Sequence, residues 1–183
     1  YELVSAVGSG AAGTVWKAVD QRLHRDVAVK LLHRGSFTGS DSEARFHREA
    51  VVLAGYEHPH IVRIHDAMVT DRDAWLVMDY VPGGTLDAIG RPESLAPIER
   101  VIEIIFKATR ALDYAFHQGI THRDIKPANI LLMEAGGSEI RISDCGAALH
   151  TARETTQIAG VGPPAYMSPQ QVREVPLDHR TDI

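Results

Sequence analysis

The run His122-Arg123-Asp124-Ile125-Lys126-Pro127-Ala128-Asn129 packs an acid, an amide and three potential cations into one short stretch. A chain reversal there would gather them, although the same residues could equally make a solvated polar turn. Further on, in Ser143-Asp144-Cys145-Gly146, Asp144 stands directly after an expected strand and before a glycine. A hard divalent cation such as Mg²⁺ takes a carboxylate, an amide oxygen, substrate phosphates and water, and Asp144 with Asn129 can supply the protein part. Nearer the N-terminus, Gly8-Ser9-Gly10-Ala11-Ala12-Gly13-Thr14-Val15 is a G-x-G-x-x-G-x-V run. Glycines let a backbone approach a phosphate and offer it unhindered N–H groups. A plain hairpin turn or a dinucleotide-binding turn would use similar glycines, but the latter needs a helix straight afterwards, and Thr14-Val15-Trp16 favours a strand. Lys30 ends the apolar run Val27-Ala28-Val29, where an ammonium is poorly solvated without anions nearby. A snorkelling surface lysine is the bland alternative. Glu49 has the complementary problem, since it lies on the apolar stripe of the next expected helix. An unpaired buried carboxylate is costly, and one Lys30–Glu49 pair relieves both residues.

These residues need elements to hold them. Leu3 to Val7, Thr14 to Trp16 and Val27 to Val29 read as three antiparallel strands. Phe46, Ala50 and Leu53 recur at helical spacing after a turn-rich stretch between Gly35 and Ser42. Beyond His58-Pro59, Ile61–Ile64 and Trp75–Met78 read as two more strands around the polar Thr70-Asp71-Arg72-Asp73 turn. Pro82-Gly83-Gly84 interrupts the pattern as a hinge. Val101, Ile105, Ala108, Leu112 and Ala115 then mark a long amphipathic helix, with Pro97 in its first turn and Gly119 ending it. A hairpin follows, Ile130–Met133 with Glu139–Ile142, turning through Gly136-Gly137. From Asp144 to Pro176 no period is strong, so a long functional loop is expected. The expected class is α+β: residues 1–78 as a first lobe, 79–84 as a hinge and 85–183 as part of a second lobe.

Composition narrows the function classes. The chain has 183 residues, 44% hydrophobic and 23% charged, which supports a folded core and gives no case for disorder. Nineteen Lys and Arg against 24 Asp and Glu give a net charge of −5, and no basic run is present, so no nucleic acid is expected as partner. The single cysteine, Cys145, excludes an internal disulfide framework and fits a reducing compartment. No apolar stretch reaches the roughly 18 residues of a spanning helix. No membrane contact is therefore expected in this segment. The ten histidines are scattered and show no paired-ligand spacing, which argues against a metal-binding module.

Taken in order, the glycine loop, strand lysine, helix glutamate, hinge, polar loop and Asp144 resemble the N-lobe and the start of the C-lobe of a eukaryotic-like (Hanks-type) protein kinase. His58-Pro59-His60-Ile61-Val62 and Ala165-Tyr166-Met167-Ser168-Pro169 are most similar to bacterial Ser/Thr kinases. The resemblance covers almost the whole chain and implies a bilobal fold with a five-stranded N-lobe sheet and one helix. It implies ATP and Mg²⁺ as cofactors and a protein hydroxyl as substrate. Gly8, Gly10 and Gly13 would cover the phosphates. Lys30, paired with Glu49, would hold the α and β phosphates, and Asn129 and Asp144 would carry the metal. Asp124 would take the hydroxyl proton and Lys126 would steady the transferring group. Adenine would lie between Val15 and Ala28 above and Leu131 below, bonded to the backbone of Asp79 and Val81 beside Met78. Arg123 before the catalytic aspartate resembles kinases regulated by phosphorylation of the activation loop, with Thr155 and Thr156 as the nearest acceptors.

Three residues depart from the family pattern. Cys145 replaces the phenylalanine that would stack with Leu53, Ile64 and His122, a gap worth about 2–4 kcal/mol unless neighbours fill it. Pro163 replaces a threonine and loses its hydrogen bonds. Gln170 replaces an anchoring glutamate. These changes favour an alternative reading as a pseudokinase or nucleotide-binding signalling scaffold. The intact Lys30, Glu49, Asp124, Asn129 and Asp144 favour the enzyme. The chain starts at Tyr1 and stops just past Asp182, the residue that resembles the start of the family's central C-lobe helix. It is therefore expected to be a C-terminally truncated domain, inactive or poorly folded alone. The parent protein is expected to be cytoplasmic, with a membrane anchor outside this segment and a homodimer both left open.

Overall fold

A computed structural model describes residues 1–10, 13–33, 50, 54–70, 73–88, 95–144, 164–173 and 175–183. The chain divides into two compact units, Tyr1–Glu57 with Val62–Tyr80, and His58–Ile61 with Val81–Ile183.

The first unit is an antiparallel sheet of β1 (Glu2–Gly10), β2 (Gly13–Asp20), β3 (Arg25–Leu32), β4 (Ile64–Val69) and β5 (Ala74–Asp79), in the order β1-β2-β3-β5-β4. The register sorts its side chains into two faces. Ala18 pairs with Val27, Val29 with Val77 and Leu31 with Trp75. Together these residues form the apolar core of one face. The period of two places Val15, Lys17, Ala28, Lys30, Leu76 and Met78 on the other face. Val27, Ala28 and Val29 are consecutive and all buried, which is why β3 reads as a continuous apolar run rather than an alternation. Gly13 is obligatory where β2 meets β3, because a Cβ there would run into the Leu31 carbonyl oxygen.

Two expectations shift here. The fourth strand begins at Ile64 and runs to Val69, instead of spanning 61–64. Ile61 instead bridges to Ile142, and His60 O accepts the Ile142 N–H at 2.8 Å, so the turn after Pro59 belongs to the second unit. Of the helix expected around Phe46, Ala50 and Leu53, Ala50 is helical and buried and Ala54 beyond it is helical and partly buried, while Phe46, Glu49 and Leu53 lie outside the described residues.

The second unit is built on α1 (Ile98–His117) and the hairpin β6 (Ile130–Leu132) with β7 (Ile140–Ile142). Pro97 flanks the helix instead of sitting in its first turn. At the other end Gly119, at φ 79°, donates to Phe116 O, and Ile120 donates to Ala115 O. This pair of bonds is the Schellman stop expected of a glycine there. The buried residues of the helix are Ile104, Ala111 and Ala115; Ile104 and Ala111, with the partly buried Ala108, pack on Ile130, Leu132, Ile140, Ile142 and Ile61. Ile105, expected on the buried stripe, is 56% exposed. Apolar residues stand at both 104 and 105, and the small side chains at 108, 111 and 115 let the hairpin approach along the stripe that contains Ile104. Within the expected long loop the structure shows a 3-10 turn at Pro164–Tyr166 and a short helix, α2 (Pro169–Val172), and a further 3-10 turn follows the loop at His179–Asp182.

Candidate functional site

The loop released by the helix stop is fastened by His122, which is 1% exposed. Its Nε2 lies 2.8 Å from Ser143 O and its Nδ1 accepts the Asp124 N–H at 3.3 Å. A carbonyl only accepts and a backbone N–H only donates, so these partners place the ring proton on Nε2. The imidazole thereby locks the loop to the residue before Asp144.

Asp124 is the focus of the loop. Lys126 Nζ lies 2.7 Å from Asp124 Oδ2, and Asn129 Nδ2 donates to the same oxygen at 2.9 Å and to the Asp124 backbone carbonyl at 2.8 Å. A 3-10 turn at Pro127–Asn129 makes this possible by bringing the amide back over the aspartate. Pro127 begins that turn with the φ it requires. Both described side-chain hydrogen bonds of Asn129 are donated by its amide nitrogen. One Asp124 oxygen, Oδ2, takes both side-chain donors.

Arg123 has φ 69° and Asp144 φ 59°, a left-handed conformation that costs a non-glycine residue on the order of 1 kcal/mol. Arg123 is held there from two sides. The Asp182 carboxylate accepts the N–H groups of His122 and Arg123, each at 2.6 Å, and Gln171 Nε2 donates to Arg123 O at 2.7 Å. Gln171 is placed by a capping box at α2, in which Ser168 Oγ accepts the Gln171 N–H and Gln171 Oε1 accepts the Ser168 N–H. Burial pushes the Arg123 guanidinium below its ordinary pKa, and the Asp182 charge works against that shift. Its Nε is buried without a hydrogen-bond partner among the described residues.

Asp144 follows Ser143, whose N–H and Oγ both donate to Asn129 O at 2.9 and 3.3 Å. Asn129 and the segment carrying Asp144 are thus tied together by backbone. A buried amide and a partly buried carboxylate carry hard-oxygen donors of the kind Mg²⁺ accepts.

The other described residues of the predicted site fall on the first unit and elsewhere in the second. Val15, Ala28, Lys30 and Met78 share the sheet face opposite the apolar core. Beside them, a Cβ at Gly8 or Gly10 would meet nothing within 4 Å, so that side of the strand is open. Asp79 ends β5, its N–H donating to Arg63 O at 3.0 Å. In the second unit Leu131 pairs with Arg141 and bridges to Thr85, and Val81 is partly buried. Glu49, Cys145, Thr155, Thr156 and Pro163 lie outside the described residues. Gln171 is the contributor that sequence reasoning passed over. Its signal was the Ser168-x-x-Gln171 spacing of a capping box, whereas attention to the family pattern had fallen on Gln170.

Comparison with known proteins identifies the family. The protein kinase domain family matches residues 1–183. The chain is 38% identical over its whole length to serine/threonine-protein kinase PknB of Mycobacterium leprae, and it spans 30% of that relative. It is similar to the Mycobacterium tuberculosis PknI kinase domain, with 30% identity and a TM-score of 0.75, covering 98% of this chain and 67% of that one. It is also similar to Rad53 1-466 in complex with AMP-PNP, with 29% identity and a TM-score of 0.77, covering 94% of this chain and 42% of that one.

Proposed function

The chain belongs to the protein kinase domain family, and on that premise we propose that the protein is a Ser/Thr protein kinase using ATP and Mg²⁺. The observation that carries this reading is the Asp124 carboxylate, gripped by Lys126 and Asn129 at 2.7 and 2.9 Å. The substrate hydroxyl gives its proton to Asp124 as its oxygen bonds to the γ-phosphorus and the bond to the ADP oxygen breaks. Lys126, already within reach of that carboxylate, balances charge on the transferring phosphoryl group. Bound Mg²⁺ would supply charge neutralisation, with Asn129 and Asp144 as its protein ligands.

On the first unit, Gly8, Gly10 and Gly13 would lie over the phosphates and Lys30, with Glu49, would orient them. Val15, Ala28 and Met78 would meet the adenine, and the resemblance adds Leu131 and the Asp79 and Val81 backbone to its contacts. Arg123 supports regulation by autophosphorylation at Thr155 or Thr156, because its buried Nε is a donor suited to a phosphate oxygen. The test is incubation of the full-length protein with Mg-ATP beside an Asp124→Asn variant. Phosphate incorporation that is lost in the variant is expected. Equal incorporation in both, or ATP binding without incorporation in either, would sink the reading.

A further inference from the structure

The pairing of β4 with β5 is irregular at one point. Ile64 opposes Met78 and Asp66 opposes Val77, so His65 is the extra residue of a bulge. Bulges re-aim a side chain and recur beside functional sites. Here the bulge carries His65 Nε2 to 2.8 Å from Asp79 Oδ1, with the imidazole only 13% exposed. A carboxylate only accepts, so the ring nitrogen donates. The second carboxylate oxygen, Oδ2, receives the Arg63 N–H at 3.4 Å, while the Asp79 N–H donates to Arg63 O at 3.0 Å. The adjacent residue is held as well. Lys17 Nζ sits 4.9 Å from the centre of the Tyr80 ring and 2.8 Å from Asp26 Oδ2. The end of β5 is therefore fixed by side chains from β4 and β2, beyond what its ladder requires.

We propose that His65 is a positioning residue for nucleotide choice, acting through Asp79 to hold the β5 carbonyl that selects adenine over guanine. The inference rests on the kinase reading above. Adenine presents an amino donor where guanine presents a carbonyl acceptor, so a fixed backbone acceptor favours ATP, and a loosened one discriminates less. Lys17 steadies the same segment without touching the Asp79 carboxylate.

The test is titration calorimetry of the full-length kinase with Mg-ATP and Mg-GTP, using wild type, His65→Phe and His65→Gln. Phenylalanine keeps the ring bulk inside the sheet and removes the donor, whereas glutamine keeps a donor. His65→Phe is expected to weaken ATP about fivefold to tenfold and GTP less than twofold, and His65→Gln to recover most of the ATP/GTP ratio. An unchanged ratio in His65→Phe, an equal loss of both nucleotides, or a ratio that falls as far in His65→Gln overturns the proposal. Should His65→Phe fail to fold, Asp79→Ala removes the acceptor at a partly exposed position, and the same loss of discrimination is required of it. Wild type that binds neither nucleotide defeats the kinase reading itself, an outcome separate from the others.

Discussion

Asp182 holds Arg123 in its left-handed conformation by accepting its backbone N–H at 2.6 Å, and the same carboxylate accepts the N–H of His122 at 2.6 Å. One side chain thus satisfies two partly buried donors in the loop that carries Asp124. The strain at Arg123 persists because Asp182 below it and Gln171 at its carbonyl leave no better alternative.

Replacing Asp182 by alanine strands both donors. Unfolding of the full-length protein in urea should show a loss of about 3 kcal/mol, with Asp182→Asn losing less because its amide oxygen still accepts. The rate of phosphotransfer should fall while the KM for ATP changes little, since the loop that positions Asp124 is what relaxes. An Asp182→Ala protein as stable and as active as wild type would rule out this role.

Asn129→Ala removes the two hydrogen bonds that Asn129 gives Asp124 and the amide oxygen assigned to the metal. The Mg²⁺ concentration giving half-maximal rate should rise on the order of tenfold or more. A magnesium titration at saturating ATP reads this directly, and an unshifted midpoint would remove Asn129 from the metal site.

The cap at α2 reaches the loop through Gln171. Ser168→Ala should cost about 1 kcal/mol through the lost cap. Gln171→Glu can keep the bond to the Ser168 N–H but sets a carboxylate against the Arg123 carbonyl oxygen, which only accepts. It should therefore slow phosphotransfer more than Ser168→Ala does, and the reverse order in a side-by-side assay would break the link from cap to loop.

His58 gives a pH dependence. It stacks on Tyr114 with ring centres 5.1 Å apart, and its Nδ1 accepts the His60 N–H at 3.2 Å. Burial first, and then the charges of His60, Arg110 and Arg141, hold its pKa below the ordinary 6.5. A lowered folded pKa means the unfolded chain takes up the proton first as pH falls. The stability His58 contributes is thus full above pH 6.5 and declines below it. Proton NMR should place the His58 midpoint under 6.5, and His58→Phe should flatten the fall in unfolding free energy on the acid side. A midpoint at or above that value contradicts the argument.

The order of the glycine run, Lys30, Asp124, Asn129 and Asp144 was enough to identify the family, because phosphate and metal chemistry restricts which residue types work and how far apart they stand. The strands were legible for the same kind of reason. Val27-Ala28-Val29 admits little but a buried strand, and Gly119 stops a helix by its own backbone freedom. Where two local patterns competed, sequence could not choose. Apolar residues at both 104 and 105 satisfy a helical period, and only the approach of the β6–β7 hairpin buries Ile104 and leaves Ile105 56% exposed. Ile61 looked like the start of a strand until its bridge to Ile142 placed it in the other unit. The bulge that aims His65 at Asp79, and the reach of Asp182 and Gln171 to Arg123, join residues far apart in the chain. Residue type and local spacing set the chemistry available to this protein. Which groups meet was decided by tertiary packing, because burial and hydrogen-bond satisfaction depend on partners that no local window contains.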